Sequence, residues 1–269
     1  MEHMIEILSY GFIQRALVAG AFISVLCAVL GVFLVLKRFS LIGDGLAHVT
    51  FGSVALGLFL KAYPFYVAVP VTMLSSLGIL KLTDKGRVFG DAAIGIVSAV
   101  GIAGGVILAS VAGGFNIDLF SYLFGNILSI NNAEVATAIS LSLIVIILIK
   151  VFYYDLFSIT FDEEYAKVSG IKTKRVNKVL ILLTSLTVVL AMKIVGIMLV
   201  SSLLIFPAVT ALQLARSFKS AILYASIAAL TSVFLGTTVS FMLNLPTGAS
   251  IVMLNFVIFI SAFMCRRFR

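Results

Sequence analysis

Residues 16–36 read ALVAGAFISVLCAVLGVFLVL, an uninterrupted run of apolar and small side chains that ends at the basic pair Lys37-Arg38. A helix needs about 20 such residues to cross the hydrocarbon core of a bilayer. In lipid every backbone polar group must be hydrogen-bonded, which a helix achieves within its own segment. The run therefore predicts a membrane-spanning α-helix, and its recurrence along the chain decides the fold class.

The whole chain repeats this pattern. Its 269 residues are 62% hydrophobic and 11% charged, with a mean hydropathy of +1.22, whereas a soluble domain carries about 25% charged residues. We predict an all-α, polytopic transmembrane helical bundle that forms one domain over residues 1–269, with about nine spans and eight as the alternative. The nine apolar runs are 16–36, 41–60, 64–80, 91–112, 133–153, 176–192, 195–215, 220–243 and 247–264. The segment Asp118–Ile130 is apolar but shorter, and it predicts a re-entrant or half-spanning helix.

The basic residues predict the orientation of the spans. If the loop at Lys37-Arg38 is cytoplasmic, alternation of nine spans leaves only Arg15, Lys61 and Lys193 on the outer side. Lys and Arg are enriched in cytoplasmic loops, so we expect the N-terminus outside and the C-terminus inside. The net charge of +8 comes from residues that separate apolar runs rather than from a basic patch, and no nucleic-acid partner is expected.

Asp44 and His48 are ionisable residues within the second predicted span, in the stretch Leu41-Ile-Gly-Asp-Gly-Leu-Ala-His48. Residues four apart share one helical face, about 6 Å apart along the axis. Because charges are costly in hydrocarbon, such residues mark ion or substrate paths. A carboxylate oxygen with an imidazole nitrogen suits Zn²⁺, Mn²⁺ or Fe²⁺. The alternative is that Asp44 caps the helix and His48 bonds to a backbone carbonyl.

Two further features lie in or beside the spans. Gly43 and Gly45 flank the carboxylate and allow either an unwound backbone or a close approach of another helix. In the stretch GIMLVSSLLIFPAVTA, residues 196–211, Pro207 removes one helix hydrogen bond, while Ser201 and Ser202 can bond to freed carbonyls or line a pore. A kinked packing helix is an equally good interpretation of that stretch. We also expect Asp91 to cap the fourth span.

The longest connection between predicted spans, residues 155–174, is cytoplasmic in this topology and contains a short amphipathic pattern. Asp162 is suited to be an N-cap, Glu163 and Glu164 would lie in the first turn, and Gly170 would end the helix. A connector does not require such a helix. We therefore predict a surface for a cytoplasmic partner.

Two enzymatic motifs are missing from the sequence. It contains no G-x-x-x-x-G-K-[ST] stretch and no H-E-x-x-H stretch, so it has neither a P-loop of its own nor the zinc-protease motif. We therefore expect no catalytic residues and no ATP hydrolysis by this chain.

Five stretches together resemble the membrane permeases of ATP-driven zinc, manganese and iron importers, the ABC-3 type of metal permease. They occur in the family's order over nearly the whole chain, and they are LKRFSLIGDGLAHVTFGSVALG (36–57), LFSYLFGNILSI (119–130), SITFDEEYAKVSGI (158–171), VGIMLVSSLLIFPAVTALQLA (195–215) and LPTGASIV (245–252). The resemblance implies a homodimer in the plasma membrane of a prokaryote, with cytoplasmic P-loop ATPase subunits that bind the ATP and an extracytoplasmic metal-binding protein.

The resemblance also implies roles for residues. Asp44 and His48 would be transient ligands for the transported Zn²⁺, Mn²⁺ or Fe²⁺, and no cofactor would be bound permanently. A coupling helix would contact the ATPase, and its residues are Asp162, Glu163, Glu164, Ala166, Gly170 and Ile171. The alternatives are a permease for siderophores or cobalamin, whose chains are typically longer, and an ATP-independent metal carrier or membrane scaffold.

Overall fold

Helices follow the apolar runs along the computed structural model, which describes residues 10–85, 88–114, 117–125, 130–192 and 195–267. In chain order the helices are α1 (Gly11–Leu36), α2 (Ile42–Phe59), α3 (Pro64–Lys85), α4 (Gly90–Val111), α5 (Ile117–Phe124), α6 (Asn132–Val151), α7 (Tyr153–Phe161), α8 (Glu163–Val168), α9 (Thr173–Ala191), α10 (Val200–Leu214), α11 (Phe218–Leu243) and α12 (Thr247–Arg267). A short 3₁₀ turn, Ile197–Leu199, precedes α10. The all-α, polytopic prediction is confirmed for these residues.

Within the described residues, 7 helices are long and apolar enough to cross a membrane, namely α1, α2, α3, α4, α6, α11 and α12. The 19-residue α9 carries Lys174, Arg175 and Lys178 near its start, and α10 has only 15 residues. All nine predicted runs are therefore helical, while the number of full spans stays a prediction. Lys193, assigned to the outer side, lies outside the described residues.

The first helix begins earlier than its apolar run. It starts at Gly11 and includes Arg15, whose Nε donates a hydrogen bond to the carbonyl of Ile130 at 3.0 Å. Arginine is a good helix former, so its charge does not end the helix, and the contact satisfies part of the guanidinium. The predicted re-entrant segment forms the 8-residue α5, which is followed by Gly125 at a φ of 77°. Residues 126–129 of that segment lie outside the described part of the chain.

A tight turn links α1 to α2. The amide of Phe39 donates to the Leu34 carbonyl at 2.9 Å, and the amide of Arg38 donates to the Val35 carbonyl at 3.0 Å. This is the Schellman pattern, in which one residue adopts the left-handed conformation; here Arg38 does so with a φ of 56°. Only Lys37 to Leu41 separate the two helices, so the linker is short and internally hydrogen-bonded.

Glycines bring the central helices into backbone contact. A Cβ added to Gly52 of α2 would lie 2.5 Å from the Gly101 carbonyl oxygen of α4, and one added to Gly31 of α1 would lie 2.0 Å from the Leu204 carbonyl oxygen of α10. Small residues at such crossings let transmembrane helices pack closely. The helix that carries Asp44 is thereby packed tightly against α4.

Two features of the loops between helices differ from the predictions. Asp91 lies in the first turn of α4 but does not cap it, because Phe89 is the N-cap and no side-chain cap bond is made. The expected cap at Asp91 is therefore wrong, although a carboxylate in the first turn still favours the helix dipole. The longest connection also contains a second helix, α7, whose aromatic residues pack around Phe218 at the start of α11; they are Tyr153, Phe157 and Phe161, and Phe33 of α1 joins them.

Candidate functional site

Asp44 and His48 lie one turn apart near the start of α2 and face each other. The Oδ2 atom of Asp44 is 3.5 Å from the Nε2 atom of His48. The Asp44 side chain is 50% exposed and the His48 side chain 21% exposed. The pair is therefore formed within one helix and remains open on its carboxylate side.

A third polar group reaches the pair from α10. The Oγ atom of Ser201 donates a hydrogen bond of 3.4 Å to Oδ1 of Asp44. Ser202 does not contribute, because its hydroxyl donates to the Leu199 carbonyl at 2.6 Å and so satisfies the end of the 3₁₀ turn. Of the two serines that the sequence singled out, one contacts the carboxylate and the other bonds to its own helix.

The glycines beside Asp44 permit close packing rather than an unwound backbone. The helix α2 continues through both of them. A Cβ on Gly43 would lie 2.7 Å from Leu204 Cδ1, and one on Gly45 would lie 2.5 Å from Ile94 Cγ2. The unwound alternative is not realised, and the flanking helices α10 and α4 hold the turn that carries Asp44.

The geometry contradicts the capping alternative for Asp44 and His48. The N-cap of α2 is Leu41, and the helix has no side-chain cap bond. The Nδ1 atom of His48 is buried and has no hydrogen-bond partner among the described residues, so it is not satisfied by a backbone carbonyl. Because buried polar atoms are nearly always paired, an unpaired Nδ1 is unusual for a purely structural histidine.

The available donors are few. Within the described residues, no group of three or more His, Cys, Asp or Glu side chains could hold a metal ion. Tight zinc sites in proteins use about four ligands, whereas this chain provides one carboxylate and one imidazole. The described donors of one chain are therefore fewer than a closed zinc site uses.

Pro207 lies elsewhere in α10, buried among packed helices. The helix runs through it from Val200 to Leu214, although proline lacks the N–H that would bond to the preceding turn. A role for Pro207 in a kink or a pore stays a prediction.

The segment of residues 162–171 folds as its capping residues predict. The Asp162 side chain accepts a hydrogen bond of 2.9 Å from the Tyr165 amide and caps α8. Glu163 and Glu164 occupy the first turn, and Ala166 is buried. Beyond the helix, Gly170 has a φ of 88°, and the Ile171 amide donates to the Ala166 carbonyl at 3.0 Å. These residues form one short helix with its N-cap and the turn that ends it, while their role in coupling stays a prediction.

The sequence did not reveal a set of contacts that ties this helix to the bundle. Lys37 lies between Glu163 of α8, at 3.5 Å, and the side-chain oxygen of Asn177 of α9. The Asn177 amide in turn donates to Glu163 at 2.9 Å. Burial lowers the pKa of Lys37, and the neighbouring Glu163 carboxylate opposes that shift. Three residues from three separate segments therefore form a closed ring.

Comparison with known proteins gives consistent matches over the whole chain. The profile of the ABC 3 transport family matches residues 9–266. The manganese transport system membrane protein MntC of Listeria innocua serovar 6a is 33% identical over 258 residues, covering 96% of this chain and 92% of that protein. The high-affinity zinc uptake system membrane protein ZnuB of Haemophilus influenzae is 32% identical over 246 residues, covering 91% and 94%.

A solved structure has the same fold. PsaBC from Streptococcus pneumoniae in complex with Fab matches with a TM-score of 0.85 and 32% sequence identity, over 97% of this chain and 95% of the matched chain.

Proposed function

Because the chain belongs to the ABC 3 transport family, we propose that it is the membrane permease of an ATP-driven importer that carries a divalent transition-metal ion into the cytoplasm. An extracytoplasmic binding protein delivers the ion, and cytoplasmic P-loop ATPase subunits supply the energy. The relatives named above belong to manganese and zinc transport systems, which supports Mn²⁺ or Zn²⁺ as the cargo; Fe²⁺ has the same ligand preferences in this pair of side chains.

The single observation that carries this proposal is the Asp44–His48 pair, with Ser201 bonded to the carboxylate and Nδ1 of His48 unpaired. Asp44 offers a hard oxygen and His48 a borderline nitrogen, a combination that suits these metals. Ser201 orients the carboxylate, as outer hydrogen bonds commonly do for metal ligands.

A second copy of the chain completes the site. One chain supplies two metal ligands, and a two-fold axis would supply four. A second copy would also cover the half-exposed Asp44 side chain, and an uncovered carboxylate within a bilayer is costly. A homodimer with the pathway at its axis meets both requirements.

The helix α8 is the surface that docks the ATPase. Tyr165 is 69% exposed and Val168 is 88% exposed on this cytoplasmic helix. These two large side chains are therefore available to pack against a partner outside the membrane. ATP binding draws the two ATPase subunits together, and α8 transmits that motion to the spans, which open alternately to the two faces. The chain lies in the plasma membrane of a prokaryote, with its N-terminus outside and its C-terminus inside.

The test is metal uptake and metal-stimulated ATP hydrolysis by the complex of permease, ATPase and binding protein in proteoliposomes. We expect Asp44→Asn and His48→Gln to lower uptake by at least about tenfold. Asp91→Asn is the matched control, because Asp91 is an exposed carboxylate in the first turn of α4. Wild-type uptake by both site variants would refute the pathway assignment. Stimulation by metal chelates but not by free ions would favour the siderophore or cobalamin type, and uptake without ATPase would favour a carrier.

A further inference from the structure

We propose that Lys37, Glu163 and Asn177 form a clamp that makes α8 and the α1–α2 linker move as one body, so that the coupling helix positions Asp44 and His48 through α2. The inference rests on the proposed function, because it assigns the route by which motion at α8 reaches the metal ligands. Lys37, Glu163 and Asn177 act as positioning residues, since none of them contacts the Asp44–His48 pair.

The clamp is a closed ring of hydrogen bonds. Lys37 donates to Oε2 of Glu163 and to Oδ1 of Asn177, while Nδ2 of Asn177 donates to Oε1 of Glu163 at 2.9 Å. Each side chain thus contacts both of the others. Hydrogen bonds that involve a charged partner are stronger than neutral ones, and a ring of them fixes three segments in orientation as well as in distance.

Burial of the Lys37 side chain makes the ring costly to open at that residue. The Lys37 side chain is only 14% exposed, so an ammonium group separated from its two acceptors would lose solvation without compensation. The Glu163 side chain is 48% exposed, so the pair is only partly buried, and we expect the ring to contribute orientation rather than much net stability. The contact therefore serves to hold a defined position.

The linker can carry motion from the clamp to the site because it is short and rigid. Its Schellman turn fixes Arg38 and Phe39, and the Ile42 amide donates to the Phe39 carbonyl at 3.2 Å. Gly90 of α4 approaches the Phe39 ring so closely that an added Cβ would lie 2.9 Å from it. Asp44 follows Lys37 by only seven residues, and a displacement of Lys37 must therefore shift the first turn of α2.

The first experiment measures coupling, as the number of metal ions transported per ATP hydrolysed by the reconstituted complex. Lys37→Met, Glu163→Gln and Asn177→Leu should each lower that ratio by about fivefold or more, while ATP hydrolysis without metal persists. Lys174→Met is the matched control, because Lys174 is an exposed lysine in the first turn of α9. Unchanged ratios in all three clamp variants would overturn the proposal.

The charge swap is the sharper variant. In Lys37→Glu combined with Glu163→Lys, the Asn177 amide can still donate to the carboxylate and its oxygen can still accept from the ammonium. The swap should therefore restore the ratio that either single reversal loses. A swap that folds and stays uncoupled would contradict the ring. If it fails to fold, Asn177→Leu decides the question, since it removes two bonds without introducing a charge.

The second experiment does not depend on transport. Spin labels replace Leu41 in the linker and Val168 in α8, both exposed, in a Cys265→Ser background because Cys265 is also exposed. We expect a narrow distribution of label distances in the permease, and a broader one with Lys37→Met but not with Lys174→Met. Equal widths would refute the clamp. Absence of metal uptake by the unlabelled wild-type complex would instead refute the proposed function.

Discussion

Gly31 of α1 is the position at which one added methyl group should disturb the bundle most directly. Its Cβ would lie 2.0 Å from the Leu204 carbonyl oxygen, whereas ordinary contacts begin near 3.4 Å. In Gly31→Ala the backbones of α1 and α10 must therefore separate by about 1.4 Å. No rotamer change can relieve this clash, because both atoms are fixed to the main chain.

The free-energy cost of this overpacking can be measured by comparison with a glycine that has room for a methyl group. Overpacking of a dense interior costs about 1–3 kcal/mol, while replacing a helical glycine by alanine gains about 0.5–1 kcal/mol. Gly78 of α3 has no atom within 4 Å of its added Cβ, so Gly78→Ala receives the gain alone. The difference in free energy between the two variants is then the cost of overpacking alone. That cost corresponds to about a 5- to 150-fold change in the fraction of molecules in which the helices have separated.

Cys27 provides the assay, because it is fully buried in α1 one turn before Gly31. The chain has two cysteines, so Cys265→Ser leaves Cys27 as its single thiol. When opening and closing are fast, the rate of maleimide labelling follows the opened population. We expect Gly31→Ala to be labelled faster than Gly78→Ala by the factor above, and equal rates would refute the reasoning. Since Leu204 also contacts Gly43, beside Asp44, slower metal uptake should accompany the faster labelling.

Two further substitutions test single hydrogen bonds. Asn131→Ala removes the capping box that Asn131 forms with Glu134 at the start of α6; we expect a cost of about 1 kcal/mol, seen as faster hydrogen exchange in the first turn of α6, and unchanged exchange would contradict it. Asn255→Leu removes the hydrogen bond that Oδ1 of Asn255 accepts from Ser232 at 2.6 Å, together with an amide nitrogen that has no partner among the described residues, while Ser232 keeps its bond to the Ala228 carbonyl. We expect the free energy of unfolding, measured by thermal denaturation, to change by no more than about 0.6 kcal/mol. A loss of several kcal/mol would mean that the amide has an essential partner.

The sequence predicts those parts of the fold whose causes are local. The run at residues 16–36 needs no partner to predict a helix, and the capping signals at Asp162 and Gly170 act within a single turn. The spacing of Asp44 and His48 likewise places both on one helical face. Each of these predictions depends on residues within a few positions of one another.

The remaining features depend on residues that are distant in the chain. The Ser201–Asp44 bond joins positions 157 residues apart, and the Lys37–Glu163 contact joins positions 126 residues apart; neither pair forms a recognisable motif. The bond from Arg15 near the start of α1 to the Ile130 carbonyl likewise joins positions 115 residues apart. The error at Asp91 has another cause, because an acidic residue is favourable both at an N-cap and in the first turn, so residue type alone does not separate the two positions.

The uneven crowding around glycines has an evolutionary consequence. Gly31, Gly52 and Gly101 face backbone atoms within 3 Å of an added Cβ, whereas Gly78, Gly95 and Gly104 face open space. Amino-acid substitution during evolution should therefore be strongly restricted at the first three positions and nearly unrestricted at the other three. Among relatives about one-third identical to this chain, an alignment should show the first group retained as glycine and the second replaced by alanine, serine or larger residues. Such an alignment would identify the helix crossings whose backbone contacts tolerate no side chain larger than hydrogen.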